Sequence, residues 1–257
     1  SILKYIKEWE KITERMGIWI DMDHPYVTCD NDYIESLWWI LKQLFNHNLL
    51  YQGYKVLPYC SRCGTSLSSH EVAQGYQDVV DPSIYLLFQV QNRENTFFLV
   101  WTTTPWTLVA NVALAVSQDL DYVEIEENKT GRHLILNRER LNALFQPEEY
   151  TLIKEMKGKE LIGLSYHPLI PFLTAPKGYQ VYHGDFVSTD EGTGIVHIAP
   201  AFGEDDMKLA QTYQLPVLHP VKPDGTYDES VPLWQGFWVK DADPFIIKYL
   251  QSTGQLY

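Results

Sequence analysis

The sequence predicts a mainly β protein with peripheral helices, an α+β chain in which a twisted β-barrel is flanked by a helical segment. Three observations carry this expectation. Apolar residues recur at helical spacing as far as Phe45. From about residue 50 the chain breaks into short β-branched or alternating runs. Gly, Pro, Asn and Asp separate those runs, which favours a closing sheet over repeated βαβ units.

In the helical part, Ile2, Ile6, Trp9, Ile12 and Met16 form one stripe and Gly17 stops it. Ile34, Leu37, Trp38, Leu41, Leu44 and Phe45 form a second, after Asp30 or Asn31 as cap. The expected strands are "YKVLPY", "SIYLLFQV", "TFFLVWT", "VALAV", "DYVEIE", "HLILN", "YQVYHG" and "GTGIVHIA", with short helices at 138–146, 204–213 and 243–252. The domains are therefore placed at 1–78 (helices and a CxxC knuckle), 79–238 (β-barrel) and 239–257 (a returning tail). The ends of the β domain would leave side by side, as an insertion in a host domain requires.

Apolar residues make up 45% of the 257 positions, enough for a real core. A formal charge of −13 argues against a broad basic face for nucleic acid, which leaves local contact. Lys154, Lys157, Lys159 and Lys177 share one stretch, and a solvated face is the leading reading of it. No apolar run reaches about 18 residues and no signal-peptide core opens the chain, so an intracellular protein without a membrane span is expected. The start at Ser1 suggests a fragment. Three cysteines, two of them in a CxxC, fit a reducing compartment.

Cys60 and Cys63, in "CSRCGTSLSSHE", have the spacing of a zinc knuckle, which is half of a tetrahedral site. Cys29 or His70 would have to add ligands, or a second pair would have to lie beyond Tyr257; reduced thiols at a turn are the alternative. "WTTTPWT" ends a strand in three hydroxyls because Pro105 has no N–H to continue the ladder. In "STDEGTGIVHIAPAFGEDD", Gly192 and Gly194 allow close backbone approach, a short strand presents His197, and Glu204, Asp205 and Asp206 occupy the first turn of a helix. Adjacent Asp205 and Asp206 point about 100° apart on a helix and would not serve one metal ion together. No HExxH, Walker loop, dinucleotide fingerprint or GxSxG elbow occurs.

"WTTTPWTLVAN" with "GTGIVHIAPAFGEDD" resembles the threonine-rich and aspartate-bearing motifs of the editing (connective insertion) domain of class I aminoacyl-tRNA synthetases for branched aliphatic amino acids. "DMDHPYVTCDNDYIESLWWILKQLFNHNLLYQGYKVLPYCSRCGTSLSSHE" and "APAFGEDD" resemble the isoleucine-specific members, and the likeness extends over essentially the whole chain. Neither HIGH nor KMSKS occurs, so the resemblance implies a piece without the synthetic site. It implies hydrolysis of valine mischarged on isoleucine tRNA, and of valyl-adenylate, in a cytoplasmic protein.

Carried over position by position, Asp206 would hold the α-ammonium group, and Trp106 and His197 would wall a pocket too small for isoleucine. Thr102, Thr103, Thr104, Thr107 and Asn111 would hold ribose, ester carbonyl and attacking water. His197 as a general base ranks second to a positioning role. Val109 and Ala110 depart from the Pro and Gly of many relatives. Editing would need no cofactor, and zinc at Cys60 and Cys63 would need a second cysteine pair outside the chain. Expected partners are the mischarged tRNA 3′ end, valyl-adenylate and the remainder of the synthetase, with a monomer as default. Threonine removal by a valyl-type domain and a non-hydrolytic tRNA 3′-end binding module are the alternatives.

Overall fold

The computed structural model describes residues 2–257, Ile2 by its backbone alone, and the chain divides into two compact units, Ser1–Tyr54 and Lys55–Tyr257. The first unit holds a 3-10 turn (Ile2–Tyr5), α1 (Ile6–Arg15) and α2 (Asn31–Asn46). α1 stops because Gly17 takes φ +72°, letting Gly17 N–H return to Glu14 O and Ile18 N–H to Thr13 O. Both helices carry the expected apolar stripes, and neither has a fully buried residue among those described.

The second unit begins with the hairpin β1 (Tyr59–Cys60) and β2 (Thr65–Ser66), followed by α3 (Ser69–Gln74). α3 starts on a capping box in which Glu71 N–H donates to Ser68 Oγ and Ser68 N–H to Glu71 Oε2. Then come β3 (Ile84–Gln89), β4 (Thr96–Thr102), a 3-10 helix (Pro105–Ala110), β5 (Ala113–Val116), β6 (Asp121–Glu127), β7 (His133–Asn137), α4 (Leu141–Leu144) and β8 (Tyr150–Lys157). β9 (Gln180–His183), β10 (Val196–Ile198), α5 (Glu204–Tyr213) and α6 (Val239–Ser252) complete the unit.

The strands form a five-stranded sheet in the order β3-β4-β7-β6-β8 and a three-stranded sheet in the order β10-β5-β9, besides the β1-β2 hairpin. The mixed α+β class is as expected. The described strands form three open sheets, and single bridges, Val90 with Tyr166 and Ser165 with Gln180, link the β3 edge to the β9 edge. Leu86, Phe88, Phe98 and Val100 from one sheet share a core with Leu114, Val116 and Val181 from the other. Residues 255–257 add to β3, with Leu87 N–H on Gln255 O and Tyr257 N–H on Tyr85 O.

"YKVLPY" is not a strand up to Tyr59, and the helix expected at 138–146 shrinks to Leu141–Leu144. β8 was not among the expected strands. It is an edge strand, exposed at most positions, and a bulge opposite Glu124 and Ile125 breaks its alternation. Lys154 pairs with Glu160 at 3.0 Å and Lys157 with Asp121 at 2.8 Å, so these lysines belong to a solvated face.

Candidate active site

The end of β4, the 3-10 helix after it, the loop before β10 and the start of α5 converge on a cleft of about 390 Å³. β4 delivers Thr102 opposite Ile84 at its last pair. Pro105 then starts the 3-10 turn, and Thr107 N–H folds back on Thr104 O. Strand β10 places His197 against Leu114 of β5. Gly203 precedes α5, and a Cβ there would fall 2.1 Å from Asp206 Oδ2, so its absence leaves that carboxylate room.

Thr102, Thr103, Thr104, Thr107, His197 and Asp206 all line the cleft, together with Trp101, Phe202 and the 191–196 loop. The hydroxyls form a chain: Thr102 Oγ1 to Thr104 Oγ1 at 3.4 Å, Thr104 Oγ1 to Thr107 Oγ1 at 3.3 Å, and Thr107 Oγ1 to His197 Nε2 at 3.0 Å. Thr103 is exposed at the cleft surface.

Asn111 lies behind His197. Its Nδ2 donates to Ala113 O at 2.9 Å and to His197 Nδ1 at 2.8 Å, while its Oδ1 accepts from Tyr166 Oη at 2.7 Å. A carbonyl can only accept, so the bond to Ala113 O identifies the amide nitrogen. Nδ1 of His197 is then an acceptor and Nε2 carries the proton given to Thr107. Thr107 in turn donates to Thr104 O at 2.9 Å. Burial pushes the His197 pKa down to about 4, so the ring is neutral at physiological pH. With both nitrogens engaged, it holds hydroxyls in place.

Asp206 and Asp205 separate as their helix positions require. Asp205 pairs outward with Lys208 at 3.1 Å, whereas Asp206 accepts from Ala199 N–H at 2.7 Å and faces the cleft. Burial pushes the Asp206 pKa up to about 6 against the lowering effect of that N–H. Glu191 is the other acid of the lining, and neither Lys nor Arg lines the cleft. The charge balance suits a cationic group.

Trp106 is not among the lining residues. Its ring packs edge-on against Phe202 with centroids 4.8 Å apart, its carbonyl accepts from Tyr227 Oη at 2.5 Å, and Phe202 faces the cleft in front of it. Phe202, Trp101 and Thr193 line the cleft without having been singled out; Trp101 opens the quoted threonine motif, and Phe202 stands just before Gly203, the residue that precedes α5. Gly194 takes φ +72° with a Cβ position 2.3 Å from Asn137 Cβ, so only glycine fits the loop there.

Cys60 and Cys63 share the β1-β2 turn, where Cys63 N–H donates to Cys60 Sγ at 3.4 Å and lowers the Cys60 pKa. His70 Nε2 is bonded to Gln74 at 2.8 Å. No group of three metal-ligating side chains occurs among the described residues. The turn fits two ligands of a tetrahedral ion and leaves two to be supplied.

Fold and cleft together define an α+β domain whose ligand cleft lies where β4, β10 and the start of α5 meet. The structure is similar to the crystal structure of GlLeuRS-CP1, with a TM-score of 0.54 and 16% identity, covering 68% of this chain and 98% of that one. At that identity the likeness is one of fold. The chain belongs to the class I tRNA synthetases (I, L, M and V), whose family profile matches residues 2–236. It is 49% identical over its full length to the isoleucine–tRNA ligase of Clostridium acetobutylicum, of which it covers 24%. The isoleucine–tRNA ligase of Bacillus thuringiensis (strain Al Hakam) is also 49% identical, with 25% of its length covered. The chain thus spans about a quarter of the length of the curated relatives it matches.

Proposed function

We propose that this chain is a hydrolytic proofreading domain that releases valine mischarged on isoleucine tRNA, and cleaves valyl-adenylate by the same chemistry. The observation that carries the reading is the half-buried Asp206 carboxylate, facing a cleft without Lys or Arg, beside the linked hydroxyls of Thr102, Thr104 and Thr107. An ionised carboxylate recognises the α-ammonium, and the hydroxyls hold ribose and water. The isoleucine-ligase relatives supply the choice of amino acid. A second sieve is needed because one methylene in an apolar pocket is worth about 1–3 kcal/mol, isoleucine against valine being the standard example of that limit.

An aminoacyl ester is already activated, and the neutral, doubly bonded His197 is no base for turning a threonine into a nucleophile. Water therefore attacks the ester carbonyl carbon, the bond to the ribose oxygen breaks, and the proton lost by water ends on that oxygen. The chain's residues orient and bind; no metal is required in the cleft. At Cys60 and Cys63 a zinc ion completed by outside cysteines would serve structure.

The test is a deacylation panel of valyl-, threonyl- and isoleucyl-tRNA with wild type and Asp206→Ala. Valine release that disappears with Asp206 supports the reading, threonine preference points to a valyl-type activity, and tRNA binding without hydrolysis points to a docking module.

A further inference from the structure

The 189–194 loop that forms one wall of the cleft is held almost entirely by its carbonyls. Arg140, just after β7, donates from Nε to Gly192 O at 3.0 Å and from Nη1 to Asp190 O at 3.0 Å and Thr189 O at 3.4 Å. Farther along the loop, Asn137 N–H donates to Thr193 O at 2.9 Å and Tyr122 Oη to Gly194 O at 2.8 Å. All these donors sit on β6, on β7 or directly after it. The first stretch of the wall, Thr189 to Gly192, takes its bonds from Arg140.

That stretch faces the cleft through Glu191 and Gly192. Gly192, at φ +66°, lies against Trp101 so closely that a Cβ would come within 2.9 Å of the indole. Trp101 lines the same cleft. Retreat of the loop would uncover the indole and widen the cleft on that side. Because the peptide is planar and trans, turning the Gly192 carbonyl to Arg140 also turns the Thr193 N–H the opposite way.

We propose that Arg140 is a positioning residue that fixes this wall, and with it the cleft width that separates valyl from isoleucyl esters. The proposal rests on the proofreading reading above. A guanidinium reaches several carbonyls in a fixed fork, which a lysine ammonium on a flexible stem does not reproduce.

The experiment uses Arg140→Met and Arg140→Lys in the full-length protein that contains this chain. It measures kcat and KM for valyl- and isoleucyl-tRNA, and hydrogen exchange of the 189–195 amides. The expected result for Arg140→Met is a valyl-to-isoleucyl preference reduced at least fivefold, mostly through KM, and loop exchange at least tenfold faster, with β3 and β4 amides unchanged. Arg140→Lys falls between it and wild type, and replaces it if the methionine variant does not fold. An unchanged preference, or equal losses on both esters with unchanged loop exchange, overturns the proposal. A wild type that releases no valine overturns the proofreading reading instead, and loop exchange then decides whether Arg140 holds the wall.

Discussion

Asp206→Asn separates stability from activity in one substitution. The folded Asp206 has a pKa of about 6 against 3.8 for the unperturbed group, so the fold favours its protonated form. For a carboxyl raised in this way, the stability it contributes is fully present below pH 3.8 and is lost as pH rises through about 6. The difference of about two units costs the wild type about 3 kcal/mol at pH 7, at 1.36 kcal/mol per unit. Asparagine keeps an oxygen for the Ala199 N–H without the half-buried charge. The variant is therefore expected to be more stable than wild type at pH 7 by up to about 3 kcal/mol, an advantage that shrinks to about 0.5 kcal/mol near pH 4. Valine release should fall about 10- to 150-fold, the loss of a charge-assisted bond worth about 1.5–3 kcal/mol. Urea denaturation at both pH values and deacylation kinetics read the two effects. In wild type, activity should drop about tenfold from pH 7 to pH 5 as the carboxylate is protonated. An asparagine variant that keeps wild-type activity, or a wild type with no acid limb near pH 6, would refute the reasoning.

Gly194→Ala adds a Cβ 2.3 Å from Asn137 Cβ at φ +72° and should destabilise the chain by about 2–4 kcal/mol, read as a shift in the urea midpoint. His197, with its pKa near 4, should show flat imidazole NMR shifts from pH 5.5 to 8 in the Nε2–H tautomer. The stability due to its neutrality is complete above pH 6.5 and lost as pH falls through about 4. Thr107→Val removes the acceptor of the His197 proton and should cost about 1–3 kcal/mol by thermal or urea unfolding. Chelator treatment should leave valine release unchanged, which a deacylation assay with and without the chelator checks.

Much of the cleft could be read from residue order because its two halves are compact in sequence: hydroxyls at a strand end stopped by Pro105, and an acid at a helix start after Gly203. Asn111 could be named as a site residue, but its place behind His197 could not, since the β5-β10 register that joins them spans more than eighty residues. Trp106 and Phe202 show the same limit from the other side. Phe202, from the loop before α5, stands in front of Trp106 in the cleft, a contact across nearly a hundred positions that residue order does not show. Helices α1 and α2 were legible from their periodicity and α5 from the acids of its first turn, whereas β8, exposed and bulged, had no buried face to mark it. Arg140 had no local signal at all, because its partners are carbonyls about fifty positions away.

Tyr85 and Tyr257 are joined by a backbone hydrogen bond, so the stretch between them begins and ends on neighbouring strands. Paired strands lie about 4.8 Å apart. Residues 255–257 therefore cover the outer edge of β3, whose backbone groups would otherwise be open to pairing with another chain.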